Sequence, residues 1–138
     1  MWPLPAQLST YWVIVAFSAF LAKQFAADFL LQTSWMAHGK ERASGWAAPL
    51  FSHTAVHAVA TGAIFAAFAP ALAWLAGVDF VVHSLIDRGK GMVVRKFELT
   101  HAKTLYWWLL GADQTLHHAT HLAFAIALAA FLTNHGVS

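Results

Sequence analysis

Asp79, His83 and Asp87 stand four residues apart in an apolar run that begins near Ala71. On a helix that spacing puts all three side chains on one face. The same spacing recurs at Asp113, His117 and His121, and at Gln24, Asp28 and Gln32; His53 and His57 form a further pair. Imidazoles and carboxylates on adjacent helical turns can converge on one ion, as in the two-histidine helix motifs of metal enzymes. This donor mixture suits zinc first, then iron or manganese. A zinc site takes three or four protein ligands, and the chain offers more than that: Asp28, His53, His57, His83, Asp87, Asp113 and His117. The set is large enough for two divalent metals, or for one whose imidazoles are oriented by carboxylates. We assign His53, His57, His83, Asp87, Asp113 and His117 as metal ligands. Asp28 and Asp113 are assigned to water orientation and acid–base work. A single pair of this kind is more often an interhelical hydrogen bond, so the assignment rests on the whole set. The chain has no cysteine, which excludes thiolate ligands and disulfides.

These side chains need helices in an apolar medium. Of 138 residues, 59% are hydrophobic and only 10% charged, against about a quarter charged in soluble domains. The expected fold is all-α: one domain, an integral membrane antiparallel four-helix bundle with spans near 11–31, 50–68, 71–87 and 113–133. Met1 to Pro5 has no basic n-region, so the first span is expected to be retained rather than cleaved. The basic residues Lys40 and Arg42 sit in the first link, and Arg88, Lys90, Arg95, Lys96 and Lys103 in the third; Lys23 alone lies inside a span. Both links are therefore expected on the cytoplasmic side and both termini outside. Residues 88–112 alternate basic with Val, Phe, Tyr and Trp, a composition for an interfacial helical link lying on lipid.

With this topology the seven candidate ligands fall in one layer at the cytoplasmic end, at most about two turns deep. Lys23 and Asp79 lie deeper and are expected to pair with each other. His121 is expected just behind the ligands, and His118 points about 100° away from His117. His38, His101 and His135 are expected in solvent. The outer halves, Ala58 to Ala69 and Ala123 to Leu132, are almost purely apolar.

The pattern Asp28-Phe-Leu-Leu-Gln32-Thr33 with Trp35-Met-Ala and Lys40, His53-x-x-x-His57, His83-x-x-x-Asp87-x-x-Lys90, and Asp113-Gln114-x-x-His117 resembles the small bacterial and phage membrane proteins grouped as domain of unknown function 3307. The resemblance covers about residues 20 to 121. It implies a multi-span protein of the bacterial inner membrane and brings no activity. The family pattern has a histidine four residues before the first aspartate, where this chain has Gln24.

Function is therefore argued from the site. A metal-dependent hydrolase at the membrane face, cleaving a phosphoester, ester or amide, is the leading reading, and a di-iron oxidase would use the same ligands. A metal-ion or proton transporter is the first alternative; the apolar outer halves weigh against it. A non-catalytic adaptor with a structural polar network is the second. Membrane lipid is the expected partner, a homo-oligomer is compatible with the sequence, and a net charge of +2 gives no reason to expect nucleic acid.

Overall fold

The computed structural model describes residues 5–137. The retained first span rests on Met1 to Pro5, of which Met1 to Leu4 lie outside the described residues. Of the described residues 79% are helical and none is in a strand. Its elements are α1 (Thr10–Phe25) continued by a π-helical turn (Ala26–Leu30), the short α2 (Ser34–Gly39), α3 (Ala47–Phe68), a single 3-10 turn (Pro70–Leu72), α4 (Leu75–Lys96) and α5 (Thr104–Asn134). Four of these helical stretches are long and apolar enough to cross a membrane.

The ends are set locally. Ser9 Oγ accepts from Trp12 N at the start of α1, and Thr33 Oγ1 accepts from Met36 N at the start of α2, each satisfying a first-turn amide that lacks an intrahelical partner. Pro49 sits in the first turn of α3, where its missing N–H costs nothing. At the reversal between α3 and α4, Pro70 opens the 3-10 turn. The π-helical turn carries one extra residue per turn and re-aims Asp28 at the end of α1.

In the packing, α1 lies against α5 and α3 against α4, with further contact between α4 and α5. At one end the bundle closes on an apolar cluster that includes Phe20, Phe65, Phe124 and Leu128. The three phenylalanine rings meet with centroids 5.7 to 6.0 Å apart, a spacing typical of favourable aromatic pairs. Elsewhere the usual distribution is reversed. Val59 is 73% exposed, Phe29 71% and Leu85 68%, while His53 and His57 are fully buried. Ser84 Oγ donates to Thr54 Oγ1 at 3.0 Å and ties α3 to α4 by a polar contact inside the bundle.

The expected boundaries change most between the third and fourth spans. Residues 88–112 do not form a separate link: α4 runs on to Lys96, α5 begins at Thr104, and only residues 97–103 connect them. Gly89 and Gly91 each cost about 1 kcal/mol in a helix interior, so tertiary contacts must hold this end of α4. The first link supplies them. Arg95 Nη1 donates to Glu41 O, Arg88 Nη1 donates to Arg42 O at 3.0 Å, and the Arg88 guanidinium lies 4.1 Å from the Trp46 ring centroid. Gly91 permits the approach, because a Cβ there would stand 3.3 Å from Glu41 Cα. Arg88 and Arg95 are thus occupied in docking the first link. The helix ends where Glu98 takes a left-handed conformation (φ 47°).

Candidate metal centre

His53 and His57 lie on successive turns of α3, His83 and Asp87 on successive turns of α4, and Asp113 and His117 on successive turns of α5. Asp28 comes from the π-helical turn. All but Asp28 are buried, and Asp28 is half-buried. The helices bring them to one level as expected. Since α5 starts nine residues before Asp113 and α4 ends nine residues after Asp87, that level is about 14 Å from both helix ends, deeper than the expected boundaries implied.

The imidazoles form a continuous row. Ring centroids are 4.7 Å apart for His53 and His57, 3.8 Å for His57 and His83, and 4.0 Å for His83 and His117. Two carboxylates flank the row, Asp28 at its α3 end and Asp87 along its side. Asp28 Oδ1 is 3.0 Å from His57 Nε2 and 3.3 Å from His53 Nε2. Asp87 Oδ2 is 3.5 Å from His53 Nε2 and 3.8 Å from His83 Nε2, and its Oδ1 is 3.5 Å from His117 Nε2. Two groups have ligand atoms mutually within 4.8 Å: Asp28, His53, His57 and His83, and then His83, Asp87 and His117. His83 belongs to both. Asp113 lies outside both groups, with Oδ1 3.6 Å from His117 Nε2.

The polar balance of this layer is incomplete. Both ring nitrogens of His53 and of His83, Nδ1 of His57 and Oδ1 of Asp113 are buried with no hydrogen-bond partner among the described residues. Each unsatisfied buried group costs about 1–3 kcal/mol. Buried polar groups are normally paired, so lone imidazole nitrogens with two of them, His53 Nε2 and His83 Nε2, beside Asp28 and Asp87 fit a cation that they could share. The donor set, nitrogen with carboxylate oxygen, also suits zinc, iron or manganese.

The surrounding groups orient the carboxylates. Lys40 Nζ donates to Asp87 Oδ2 at 2.7 Å and is itself buried. Gln24 Nε2 donates to Asp28 Oδ2 at 2.6 Å, and Gln32 Nε2 donates to the Asp28 main-chain oxygen at 2.9 Å. Gln24 therefore holds a carboxylate rather than facing the row. Lys40 was expected only as a link residue. Its one sequence signal was its place in the resemblance motif, because burial of a residue on α2 depends on how that link folds back.

Deeper in the bundle is a second polar group. Lys23 Nζ donates to Asp79 Oδ2 at 2.8 Å, Thr61 Oγ1 donates to the same oxygen at 2.6 Å, and Lys23 Nζ lies 3.1 Å from His121 Nε2. The expected Lys23–Asp79 pair is present. His121 joins it rather than the histidine row, and stacks on Phe20 at 5.7 Å. Thr61 was not anticipated; a threonine among alanines carries no periodic signal. His118 is half-buried, and His38, His101 and His135 are exposed.

A family match extends over residues 16–137, from α1 to the end of α5. The chain belongs to the family described as protein of unknown function (DUF3307). No curated protein and no solved structure matches it. In this DUF3307 chain every motif of the resemblance contributes a side chain to the layer: Asp28 and Lys40, His53 and His57, His83, Asp87 and Lys90, Asp113 and His117.

Proposed function

We propose that this DUF3307 chain is a four-span, antiparallel bundle of the bacterial inner membrane whose His/Asp layer binds divalent metal, zinc first, and hydrolyses an ester-type bond at the cytoplasmic side. The observation that carries the reading is the row of four buried imidazoles beside Asp28 and Asp87, three of which hold nitrogens without a hydrogen-bond partner among the described residues. Buried polar side chains beneath an exposed apolar surface support membrane embedding. Seven of the eight Lys and Arg lie within residues 40–42 and 88–103, at the same end of the helices, with none in the Pro70 reversal; this supports a cytoplasmic position for that end and outward termini.

In this reading His53, His57, His83, Asp87 and His117 are the ligands, and a bound dication supplies Lewis acidity and an acidified water. Asp28 orients the imidazoles of α3, and Lys40 holds Asp87 in place. Asp113, with its unpartnered Oδ1, lines a cavity of about 150 Å³ beside His117. It is placed to take the proton of the attacking water and return it to the departing oxygen. The water's hydroxyl would add to phosphorus or carbonyl carbon, and the bond from that atom to the departing oxygen would break. Against conduction, the Phe20, Phe65 and Phe124 cluster seals the path above Lys23, Asp79 and His121.

Two measurements test these statements. Protein purified without added metal should carry stoichiometric zinc, iron or manganese and cleave a soluble phosphodiester or ester in a chelator-sensitive manner; metal-free, stable protein would remove the reading. Topology is read by labelling introduced cysteines in the otherwise cysteine-free chain. Arg42→Cys and Lys96→Cys, both at exposed positions, should react only after the cells are opened. Labelling of either in sealed cells overturns the orientation.

A further inference from the structure

Two cavities meet at the same pair of side chains. One is an apolar groove between α4 and α5, about 380 Å³, walled by Leu85, Ile86 and Gly89 on one side and Leu109, Ala112 and Leu116 on the other, with Lys90 and Asp113 at its inner edge. The other is the cavity of about 150 Å³ beside the histidine row, which Lys90 and Asp113 also line, along with Lys40, Asp87 and His117. Leu85 and Leu116 are exposed, so the groove opens sideways, on the surface assigned above to lipid. Gly89 keeps it open: a Cβ there would meet nothing within 4 Å.

Lys90 is the cation at the junction. Lys40 and Lys23 are each bonded tightly to a carboxylate, at 2.7 and 2.8 Å. Lys90 Nζ stands 3.7 Å from Glu41 and 3.9 Å from Asp113, beyond hydrogen-bond length, and makes no hydrogen bond among the described residues. An ammonium carries three donors, so this one is equipped to receive anionic oxygens.

We propose that groove and pocket together take one anionic phospholipid, with an acyl chain between Leu85 and Leu116 and the phosphate at Lys90 Nζ beside His117. This deepens the proposed function, on which it rests, by naming the substrate class: a lipid phosphate presented sideways from the bilayer. A free phosphate would use the polar cavity and leave the groove unexplained. A neutral or zwitterionic lipid would fill the groove but gain less from Lys90. Asp28, Glu41, Asp87 and Asp113 repel an anion, so the metal of the layer favours this ligand by offsetting their charge.

The test uses metal-loaded protein in detergent, its metal content measured in each preparation. Retention of phosphatidylglycerol, phosphatidylcholine with the same acyl chains, and inorganic phosphate is read by native mass spectrometry. Phosphatidylglycerol should bind about tenfold more tightly than phosphatidylcholine, a difference of about 1.4 kcal/mol. Lys90→Met should abolish that preference, and Lys90→Arg should restore most of it. Gly89→Leu, a change toward a better helix former, should weaken both lipids by filling the groove. Equal retention of the two lipids, phosphatidylglycerol binding unchanged in Gly89→Leu, or phosphate bound as tightly as phosphatidylglycerol would each overturn the proposal. A failure of the metal reading is separate: it appears as absent metal, and if the preference still depends on Lys90 and the retention of both lipids on Gly89, the lipid site stands without the hydrolase.

Discussion

His57→Ala and His83→Ala are each expected to reduce bound metal by more than about tenfold. Loss of groups that merely orient a ligand costs 10–100-fold in metal affinity, and these two histidines are assigned as ligands themselves. They come from different helices, with ring centroids 3.8 Å apart, so two independent deletions should have the same consequence. Chelator should mimic both. If the parent is purified with metal at about 100 times its Kd, removal costs about 2.7 kcal/mol of stability. The mutants should then melt near the chelated parent and respond little to further chelator. A hydrogen-bonded network without metal behaves differently, since interhelical hydrogen bonds in membranes average about 0.6 kcal/mol. Elemental analysis and thermal unfolding of both variants, with and without chelator, separate the two. Unchanged melting of the parent in chelator, with the same trace metal in parent and mutants, ends the metal reading.

Lys23→Met is expected to be the most destabilising single change in the deeper group. It strips Asp79 of its 2.8 Å partner and leaves a carboxylate buried with Thr61 and His121. Removing one member of a buried ion pair costs about 3–5 kcal/mol, mostly through the stranded charge. The double variant Lys23→Met with Asp79→Leu should recover much of that loss, because replacing both charges by apolar groups is often neutral or better. The expected coupling is therefore large and compensating. Unfolding in a denaturing detergent series gives all three values; additive losses would show that the pair does not act as a unit. Metal content should stay near the parental level in the double variant, because Lys23 and Asp79 belong to neither ligand group.

The sequence by itself determined the helical class and the membership of the layer. Asp28, His53, His57, His83, Asp87, Asp113 and His117 were all legible, because spacing of four on a helix is local geometry and a charged residue in an apolar run is conspicuous. The Lys23–Asp79 pair was legible for the same reason. Only the tertiary structure decided the rest. The continuation of α4 through Gly89 and Gly91 depends on Arg88 and Arg95 reaching carbonyls of the first link, a contact between residues more than forty positions apart. The partnership of Lys40 with Asp87, and of Thr61 with Asp79, depends on helix rotation and depth rather than period. Asp113 shares its helix face with His117 yet falls outside both ligand groups, since a shared face sets direction but not distance to a neighbouring helix. The groove at Gly89 belongs to the same class: a missing side chain becomes a cavity only when the facing helix leaves the space open.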